Sequence, residues 1–266
     1  MNIESIQETD LHVIKQLQPP DWDDITLPHK LYISSPFCNP IKIVVNEQIA
    51  GIGTAIKHQD TAWLAHIIVH PHYRGKGVGK TITQTLVDSI DKQQCKTIYL
   101  IATDLGYPVY QKVGFREEAD YAHLTKEIET LPVTASPSII GYKKKYHDEV
   151  IALDKYISGE DRAERLNGQM ETSLLYVSEN SAEGAYFPHL GNGLIIAKNP
   201  TAGIELMKLR LEERDFAILP AANKPAIKFL LDSDFKRVRI SKRMFLGKRR
   251  KWRPASIYNR ISGQFG

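Results

Sequence analysis

The stretch Val69–Thr81, VHPHYRGKGVGKT, decides the fold of this chain. An apolar strand-like run ends at Val69, a glycine-rich turn follows, and apolar residues recur at helical spacing from Val78 to Ile90. Glycine reaches left-handed backbone angles without steric cost, so such a turn can direct several N–H groups to one place. The free N–H groups and the positive dipole end of the helix add to them. The stretch therefore predicts a strand, turn and helix that bind phosphate or pyrophosphate.

Three phosphate-binding patterns compete for this turn. The P-loop needs a glycine five residues before the Gly-Lys-Thr of residues 79–81, where this chain has Arg74. The dinucleotide pattern G-x-G-x-x-G can start at Gly75, but Lys80 replaces its third glycine. The acidic residue that this pattern requires after the next strand is also misplaced. A third pattern, R/Q-x-x-G-x-G/A after a strand ending in Val-x-Pro, is matched throughout.

The third pattern rests on Arg74, Gly77 and Gly79, preceded by Val69 and Pro71. At these residues the sequence resembles the GNAT superfamily of N-acetyltransferases. The resemblance implies that the turn wraps the pyrophosphate of acetyl-coenzyme A and that the preceding strand pairs with the pantetheine amides, as an added strand would. The coenzyme-binding residues implied in this way are Ile67, Ile68, Val69, Arg74, Gly75, Lys76, Gly77, Val78, Gly79 and Lys80.

A second motif follows the next predicted strand. Residues 110–115, YQKVGF, resemble the Tyr-x-x-x-Gly-Phe of the same family, whose tyrosine hydroxyl commonly protonates the departing coenzyme A thiolate. A tyrosine stays protonated at neutral pH and can donate to a thiolate, so the resemblance assigns Tyr110 as the catalytic acid. The family often has Asn seven residues earlier, bonded to the pantetheine arm. This chain has Thr103 there, and the resemblance implies that Thr103 is a further coenzyme-binding residue, although the departure from Asn weakens that contact.

The general base is missing from its usual positions. In the family it tends to lie four or six residues before Val69, and these positions are Ala65 and Trp63. His66 is adjacent, but strict alternation along a strand turns it to the opposite face. The carboxylate of Gly266 is an alternative base if the end of the chain folds back into the cleft.

The two halves of the chain show an internal echo. Residues 103–115, TDLGYPVYQKVGF, align with residues 223–235, NKPAIKFLLDSDF, each preceded by an apolar strand. The proline- and serine-containing segment 131–145 is the predicted linker. We therefore predict residues 1–130 as a catalytic domain that binds acetyl-coenzyme A and residues 146–266 as a degenerate copy. Both are expected to be α/β domains with mixed, mostly antiparallel sheets and flanking helices.

The second half resembles the C-terminal domain of bacterial tandem GNAT proteins. The resembling residues are Leu153-Asp154, Gly159–Arg162 and Arg243–Gly247. Its phosphate turn near Lys198–Gly203 lacks both the arginine and the glycine spacing, so it is predicted to bind no coenzyme. The resemblance implies that this domain shapes the acceptor pocket.

Composition sets broad limits on the class of protein. The 266 residues are 42% hydrophobic and 25% charged, typical of globular domains. The sequence has no apolar run of about 18 residues, so no membrane span is predicted. Its start is neither basic nor apolar, so no signal peptide is predicted. Two distant cysteines support no disulfide framework, so we expect a reducing, cytoplasmic location. We also expect a monomer or a homodimer. No metal site is predicted.

Basic residues concentrate at one end of the sequence. Residues 236–266 contain 11 Lys/Arg and no Asp/Glu, whereas the whole chain carries a net charge of +4. Solvated charge, recognition of an acidic acceptor or of the coenzyme 3′-phosphate, and nucleic-acid binding are the three interpretations of the run Lys236–Arg253. Solvated charge is the first expectation, and nucleic acid is not an expected partner.

These observations predict an acetyl-coenzyme A-dependent N-acetyltransferase that acts on a primary amine by direct attack. A small-molecule acceptor is the first expectation and a peptide amine the alternative. From other classes, a non-catalytic coenzyme A-responsive binding protein and an ATP-binding protein that uses Gly75–Thr81 remain open.

Overall fold

A computed structural model describes residues 1–20, 22–127 and 136–265 of the chain. The chain divides into two compact units. The first consists of Met1–Glu117 and Met244–Arg249, and the second of Glu118–Arg243 and Arg250–Gly266. The predicted boundary at residue 130 stays a prediction, and residues 131–135 of the predicted linker lie outside the described residues.

The first unit is a twisted sheet with helices on both faces. Its elements are β1 (Asn2–Ser5), α1 (Leu11–Gln16), α2 (Thr26–Ser34), β2 (Cys38–Val45), β3 (Gln48–Lys57), β4 (Thr61–Val69), α3 (Val78–Asp88), β5 (Thr97–Ala102), α4 (Tyr107–Val113) and the start of β6 (Arg116–Thr125). Strands β1 to β4 pair antiparallel in sequence order, and β4 pairs parallel with β5. Residues Met244–Gly247 lie on the other side of β5.

The helix α3 packs closely on the sheet because β3 carries glycines beneath it. A side chain at Gly53 would come within 2.6 Å of Ile82 and 3.0 Å of Leu86, and one at Gly51 within 2.9 Å of Ile82. Ile82 and Leu86 are fully buried, one helical turn apart. The spacing of the apolar residues thus fixes which face of α3 meets the sheet, and the glycines set how close the helix comes.

The second unit repeats this layering with a separate sheet. Its elements are β7 (Ile139–Gly141), α5 (His147–Ser158), α6 (Ala163–Asn167), β8 (Leu174–Ser178), β9 (Ser181–Phe187), β10 (Leu194–Ala197), α7 (Pro200–Leu211), β11 (Phe216–Pro220), α8 (Lys224–Asp232), β12 (Lys236–Gly247, of which Met244–Gly247 belong to the first unit) and β13 (Ile257–Asn259). Five strands form an antiparallel sheet in the order β13-β10-β9-β8-β7. Strand β11 pairs antiparallel with β6.

The internal echo corresponds to a repeated strand, helix and strand. Elements β5, α4 and β6 recur as β11, α8 and β12, and the last strands of the two sets start 120 residues apart, at Arg116 and Lys236. The predicted fold class, mixed α/β with mostly antiparallel sheets in two tandem copies, is confirmed.

The sequence interpretation missed several elements. It left α2, α6, β7 and β13 unassigned, and it treated Lys236–Arg253 mainly as solvated charge although β12 occupies most of that run. Within the run, Arg243 is buried, Lys242 lies 3.0 Å from Asp120, and Arg250 and Arg253 donate to backbone carbonyls. These side chains are therefore bound within the second unit.

Candidate functional site

Strands β4 and β5 separate in the middle of the first unit's sheet. Their parallel pairing covers only Thr61–Trp63 with Thr97–Tyr99, although β4 continues to Val69 and β5 to Ala102. Beyond Trp63 the facing edges run on without pairing to each other. An unpaired strand edge offers N–H and C=O groups to an extended ligand that carries amides of its own.

The hydrogen-bond alternation of an antiparallel pair decides which groups face this gap. The N–H of His70 donates to the carbonyl of Ala50 at 2.9 Å, so the pair two residues earlier, Ile68 with Ile52, also bonds across to β3. Val69 lies between them and turns its N–H toward the gap. Its carbonyl accepts a hydrogen bond from Nε of Arg74 at 3.2 Å. The N–H of Val69 is therefore the one best placed to meet a ligand amide.

The glycine-rich turn follows directly and presents a row of free N–H groups. Gly75 and Gly77 have φ of +73° and +85°, and no atom lies within 4 Å of a Cβ built on either. In the described part of the chain, none of the six N–H groups from Gly75 to Lys80 has a hydrogen-bond acceptor. The turn is thus a cradle that side chains would fill, with its N–H groups at the positive end of α3.

The charged residues of the turn are exposed. Arg74, Lys76 and Lys80 add three positive charges to the cradle, and Nζ of Lys76 lies 5.6 Å from the centre of the Tyr73 ring. The N–H of Arg74 donates to the carbonyl of Pro71 at 3.2 Å, so the row of free N–H groups begins at Gly75. Arg74 offers its guanidinium instead. Pyrophosphate fits a site of this composition, with backbone donors inside and cations around it.

Tyr110 lies on α4 with only 7% of its surface exposed. Its ring packs over Gly106, where a Cβ would come within 2.7 Å of the ring, and it meets Phe115 edge-on at 6.2 Å. Burial raises the pKa of the Tyr110 hydroxyl, so the group is a proton donor at neutral pH. Thr103 is exposed, and its hydroxyl accepts the N–H of Gly106 at the start of α4.

A bulge in β4 changes the orientation of His66. Ile52 pairs with Ile68 but Thr54 pairs with Ala65, so Gly53 faces two residues of β4, and His66 has φ of +47°. Leu64 packs in the core beneath α3, as regular alternation requires. His66 lies instead beside α2, so the expectation that it faces away from the Ala65 position was wrong.

The bulge places His66 in a buried group of rings. Its centroid lies 5.1 Å from His29, 5.7 Å from Tyr32 and 5.9 Å from Trp22, and its Nδ1 lies 3.2 Å from the Tyr32 hydroxyl. Burial, then the nearby His29, lowers the pKa of His66 to about 3. Both histidines are therefore neutral at physiological pH, since burial also lowers the pKa of His29.

His29 has a defined tautomer. Its Nδ1 lies 2.7 Å from the carbonyl of Ile25, which can only accept, so Nδ1 carries the proton and Nε2 the lone pair. The residue is fully buried, and Nε2 has no partner among residues 1–20, 22–127 and 136–265. Sequence reasoning missed this residue together with its helix. The available signal was Asp24, whose carboxylate accepts the N–H of Thr26 at the start of α2.

The corresponding helix of the second unit, α7, lacks an equivalent cradle. The strand β10 leads directly into α7, whose N-terminus is capped by the Asn199 side chain accepting the N–H of Ala202 at 3.0 Å. The Asn199 amide also donates to the carboxylate of Glu183 at 2.7 Å, which places negative charge where a phosphate would lie. These contacts oppose coenzyme binding at this helix.

The residues that resemble tandem proteins form a buried ion network in the second unit. Arg162 binds Asp154 through two nitrogens at 2.5 and 3.1 Å. Arg243 lies 2.7 Å from Glu118 and 3.3 Å from Glu160. Each of these five side chains is at most 2% exposed, and the guanidinium of Arg243 stacks on Trp252 at 4.2 Å. The motif is therefore explained by packing within the second unit.

Membrane-spanning helices and metal clusters are both absent from the described ranges. No helix there is long and apolar enough to cross a bilayer. No group of three or more His, Cys, Asp or Glu side chains there could hold a metal ion. Within these ranges neither Cys38 nor Cys95 forms a disulfide bond.

Comparison with known proteins agrees with this geometry. Two curated relatives match parts of the chain: glucosamine 6-phosphate N-acetyltransferase of Trypanosoma brucei brucei (31% identity over 64 residues, 24% of this chain) and [Ribosomal protein bS18]-alanine N-acetyltransferase of Haemophilus influenzae (29% over 79 residues, 29% of this chain). The matches span only 40% and 54% of the relatives' own lengths.

Solved structures share the fold over nearly the whole chain. A provisionally assigned acetyltransferase from Pyrococcus horikoshii superposes with a TM-score of 0.80 at 21% identity, covering 100% of this chain and 95% of its own. A tandem GNAT protein from the clavulanic acid biosynthesis pathway gives 0.62 at 13% identity, covering 92% and 98%. The acetyltransferase (GNAT) family model matches residues 8–115, which span the gap, the cradle and Tyr110. Over these residues the chain is similar to the acetyltransferase (GNAT) family.

Proposed function

We propose that the protein transfers an acetyl group from acetyl-coenzyme A to a primary amine. The observation that carries the proposal is a continuous ligand path: an unpaired edge of β4 that leads to six free N–H groups at the start of α3. The pantetheine amides fit the strand edge, and the pyrophosphate fits the cradle. ATP would use the cradle but leave the strand edge empty, so the path favours coenzyme A.

The proposed reaction is direct attack by the neutral amine on the thioester carbonyl. The new N–C bond forms as negative charge grows on the carbonyl oxygen, and N–H groups of β4 near the bulge are positioned to stabilise that charge. The C–S bond then breaks, and the Tyr110 hydroxyl donates its proton to the thiolate. The nitrogen of the new amide then loses its extra proton, and this proton returns to the Tyr110 oxygen. No covalent intermediate with the protein is required.

The change Tyr110→Phe tests this assignment. It removes the donor and keeps the ring over Gly106, so turnover should fall about 100-fold while the Kd for acetyl-coenzyme A stays within about twofold. Thiol release measures turnover and calorimetry measures binding. Unchanged turnover would exclude Tyr110 from the reaction.

We further propose that His29 accepts, through one water, the proton that the acceptor ammonium must lose before it attacks. Its Nε2 is an unpartnered lone pair one ring away from the bulge in β4, and its neutral state at pH 7 leaves it free to accept. The titratable groups packed against it are His66 from β4 and Tyr32 from its own helix. The carboxylate of Gly266, the earlier alternative, lies outside the described residues.

Replacing His29 by asparagine separates a base from a structural residue. The amide keeps the donation to Ile25 but has no basic nitrogen, so we expect kcat/KM to fall about 100-fold with unchanged acetyl-coenzyme A binding. Because burial lowers the pKa of His29 below its usual value near 6.5, the wild-type kcat/KM should rise with pH below about 6.5. The variant should lack this limb.

The control is His12→Asn, since His12 also has its Nδ1 2.8 Å from a backbone carbonyl but is exposed. It should leave kcat/KM and its pH profile unchanged. A His29→Asn protein with the wild-type pH profile would assign His29 a purely structural role.

The acceptor class is proposed to be a small amine. The relatives are named for an amino sugar phosphate and for a protein alanine, so both acceptor classes remain to be compared. The tight ring group beside the bulge supports a compact acceptor rather than a polypeptide. Thiol release with amino sugars, polyamines and peptides with a free N-terminal alanine tests this, and turnover with the peptides alone would reverse the assignment.

A non-catalytic, coenzyme A-responsive protein is the alternative. The absence of a carboxylate at Trp63 and Ala65 favours it, and the donor at Tyr110 argues against it. Saturable binding of acetyl-coenzyme A with no thiol release across the whole amine panel would support that alternative.

A further inference from the structure

Four arginines of the second unit are buried in the part of the chain that the structure describes. Three of them have acceptors: Arg162 and Arg243 bind carboxylates, and Arg210 donates to backbone carbonyls at 2.8 and 2.5 Å. Arg260 differs from these three. It is 6% exposed, and its Nε and Nη1 are buried without any hydrogen-bond partner among the described residues.

The charge on Arg260 is also uncompensated. No carboxylate in the described ranges lies within ion-pair distance of it, and its nearest aromatic neighbour is the Tyr121 ring at 5.8 Å. Burial is the main cause that lowers its pKa, to about 10, so the guanidinium remains charged at neutral pH. A buried charge without a partner destabilises a fold. Its persistence here indicates that a group outside the described residues provides the counter-charge.

The surroundings of Arg260 are basic or hydroxyl-bearing. His123 is 6% exposed, its Nε2 lies 2.8 Å from the Ser241 hydroxyl, and its Nδ1 lies 3.4 Å from Arg239. Burial, then the charges of Arg260 and Arg239, lowers the pKa of His123 to about 3. The Tyr121 hydroxyl is buried and, within the residues described, has no hydrogen-bond partner.

These side chains share one face of the second unit. Ala122 and Leu124 of β6 pack into the core with α7 and α8, so Tyr121 and His123, which alternate with them, lie on the opposite face. Ile218 of β11 pairs with His123 of β6. The carbonyl of Ile218 accepts a hydrogen bond from the N–H of Arg260 at 2.9 Å. Arg239 is exposed, so the group reaches the protein surface at this residue.

We propose that the second unit binds a phosphoryl group, as free phosphate or a phosphate ester, through Arg260, Arg239 and the hydroxyls of Tyr121 and Ser241. The Arg260 guanidinium provides a positive charge and planar donors that suit phosphate oxygens, and Arg239 adds further donors at the exposed edge of the group. Such a ligand would satisfy the orphaned nitrogens of Arg260 and the orphaned Tyr121 hydroxyl. This site does not depend on the proposed acetyl transfer.

The test compares Arg260→Met with Arg237→Met, since Arg237 is an exposed arginine of β12. Calorimetric titration with inorganic phosphate, against chloride at equal ionic strength, should show saturable binding by the wild type and by Arg237→Met. Arg260→Met should weaken this binding at least tenfold. Without phosphate, Arg260→Met should melt at the same or a higher temperature, because it removes an uncompensated charge, whereas a purely structural arginine would give a lower Tm.

Two outcomes would overturn the site: no saturable phosphate binding by the wild type, or undiminished binding by Arg260→Met. If that variant does not fold, Tyr121→Phe and Arg239→Gln carry the same test. A sugar phosphate and its dephosphorylated sugar identify the source, since tighter binding of the ester than of inorganic phosphate assigns an organic ligand. Arg260→Met should keep the acetyl-coenzyme A turnover of the wild type while it loses phosphate binding. The phosphate site and the proposed function are therefore tested separately.

Discussion

Replacing Gly77 by valine should weaken the binding of acetyl-coenzyme A by at least about 100-fold. Gly77 has φ of +85°, which costs an ordinary side chain about 1–2 kcal/mol and a branched one more, so the turn would relax to another conformation. The relaxed turn would no longer aim the neighbouring N–H groups at one point. Loss of two hydrogen bonds to a charged phosphate, at about 1.5–3 kcal/mol each, accounts for the expected loss of affinity for acetyl-coenzyme A.

Gly141→Val is the matched control for this variant. Gly141 also has open space around it but an ordinary φ, and it belongs to the second unit. It should leave the Kd for acetyl-coenzyme A unchanged when both variants are titrated under the same conditions. Wild-type affinity in Gly77→Val would mean that the ligand does not use the turn.

Arg243→Leu should lower the free energy of unfolding of the second unit by about 3–5 kcal/mol. The substitution leaves Glu118 and Glu160 buried without the cation that lies within 3.3 Å of both. It also removes the guanidinium from the face of Trp252, so the fluorescence of that residue should change in the folded state. Urea unfolding followed through Trp252 and through calorimetry measures the loss.

Lys242→Leu is the control for charge alone. Lys242 is the neighbouring residue, and its ion pair with Asp120 is more than one-third exposed on both sides, so its loss should cost less than about 1 kcal/mol. Adding Glu118→Gln and Glu160→Gln to Arg243→Leu should recover much of the stability. Equal losses in Arg243→Leu and Lys242→Leu would contradict the buried network as a source of stability.

The parts of the site that lie close together in sequence could be predicted from it. The strand, cradle and helix of residues 61–88 depend on apolar spacing, on glycine and on one proline, and each of these acts locally. Tyr110 could be placed because residues 110–115 resemble the family's Tyr-x-x-x-Gly-Phe, and the structure has there a short helix that ends at the left-handed Gly114. The first copy of the repeat, β5, α4 and β6, could also be predicted, because its signals are local in sequence.

Groups that depend on contacts distant in sequence could not be predicted. The bulge at His66 changes which face the residue occupies, and no local signal marks it, since His66 meets α2 more than 30 residues earlier. Arg243 lies within a run that looks like surface charge until the strand buries it against Glu118 and Glu160. That Arg260 has no hydrogen-bond partner for Nε and Nη1 among the described residues is visible only when its neighbours in the fold are known.

Calorimetric titration of the wild-type protein with acetyl-coenzyme A, with ATP as the control ligand, tests the central claim most directly. The unpaired edge of β4 and the free N–H groups of Gly75–Lys80 predict saturable binding of acetyl-coenzyme A at a single strong site, lost in Gly77→Val, with ATP bound far more weakly. Tight binding of ATP, or binding of neither ligand, would contradict the assignment of this cradle to coenzyme A.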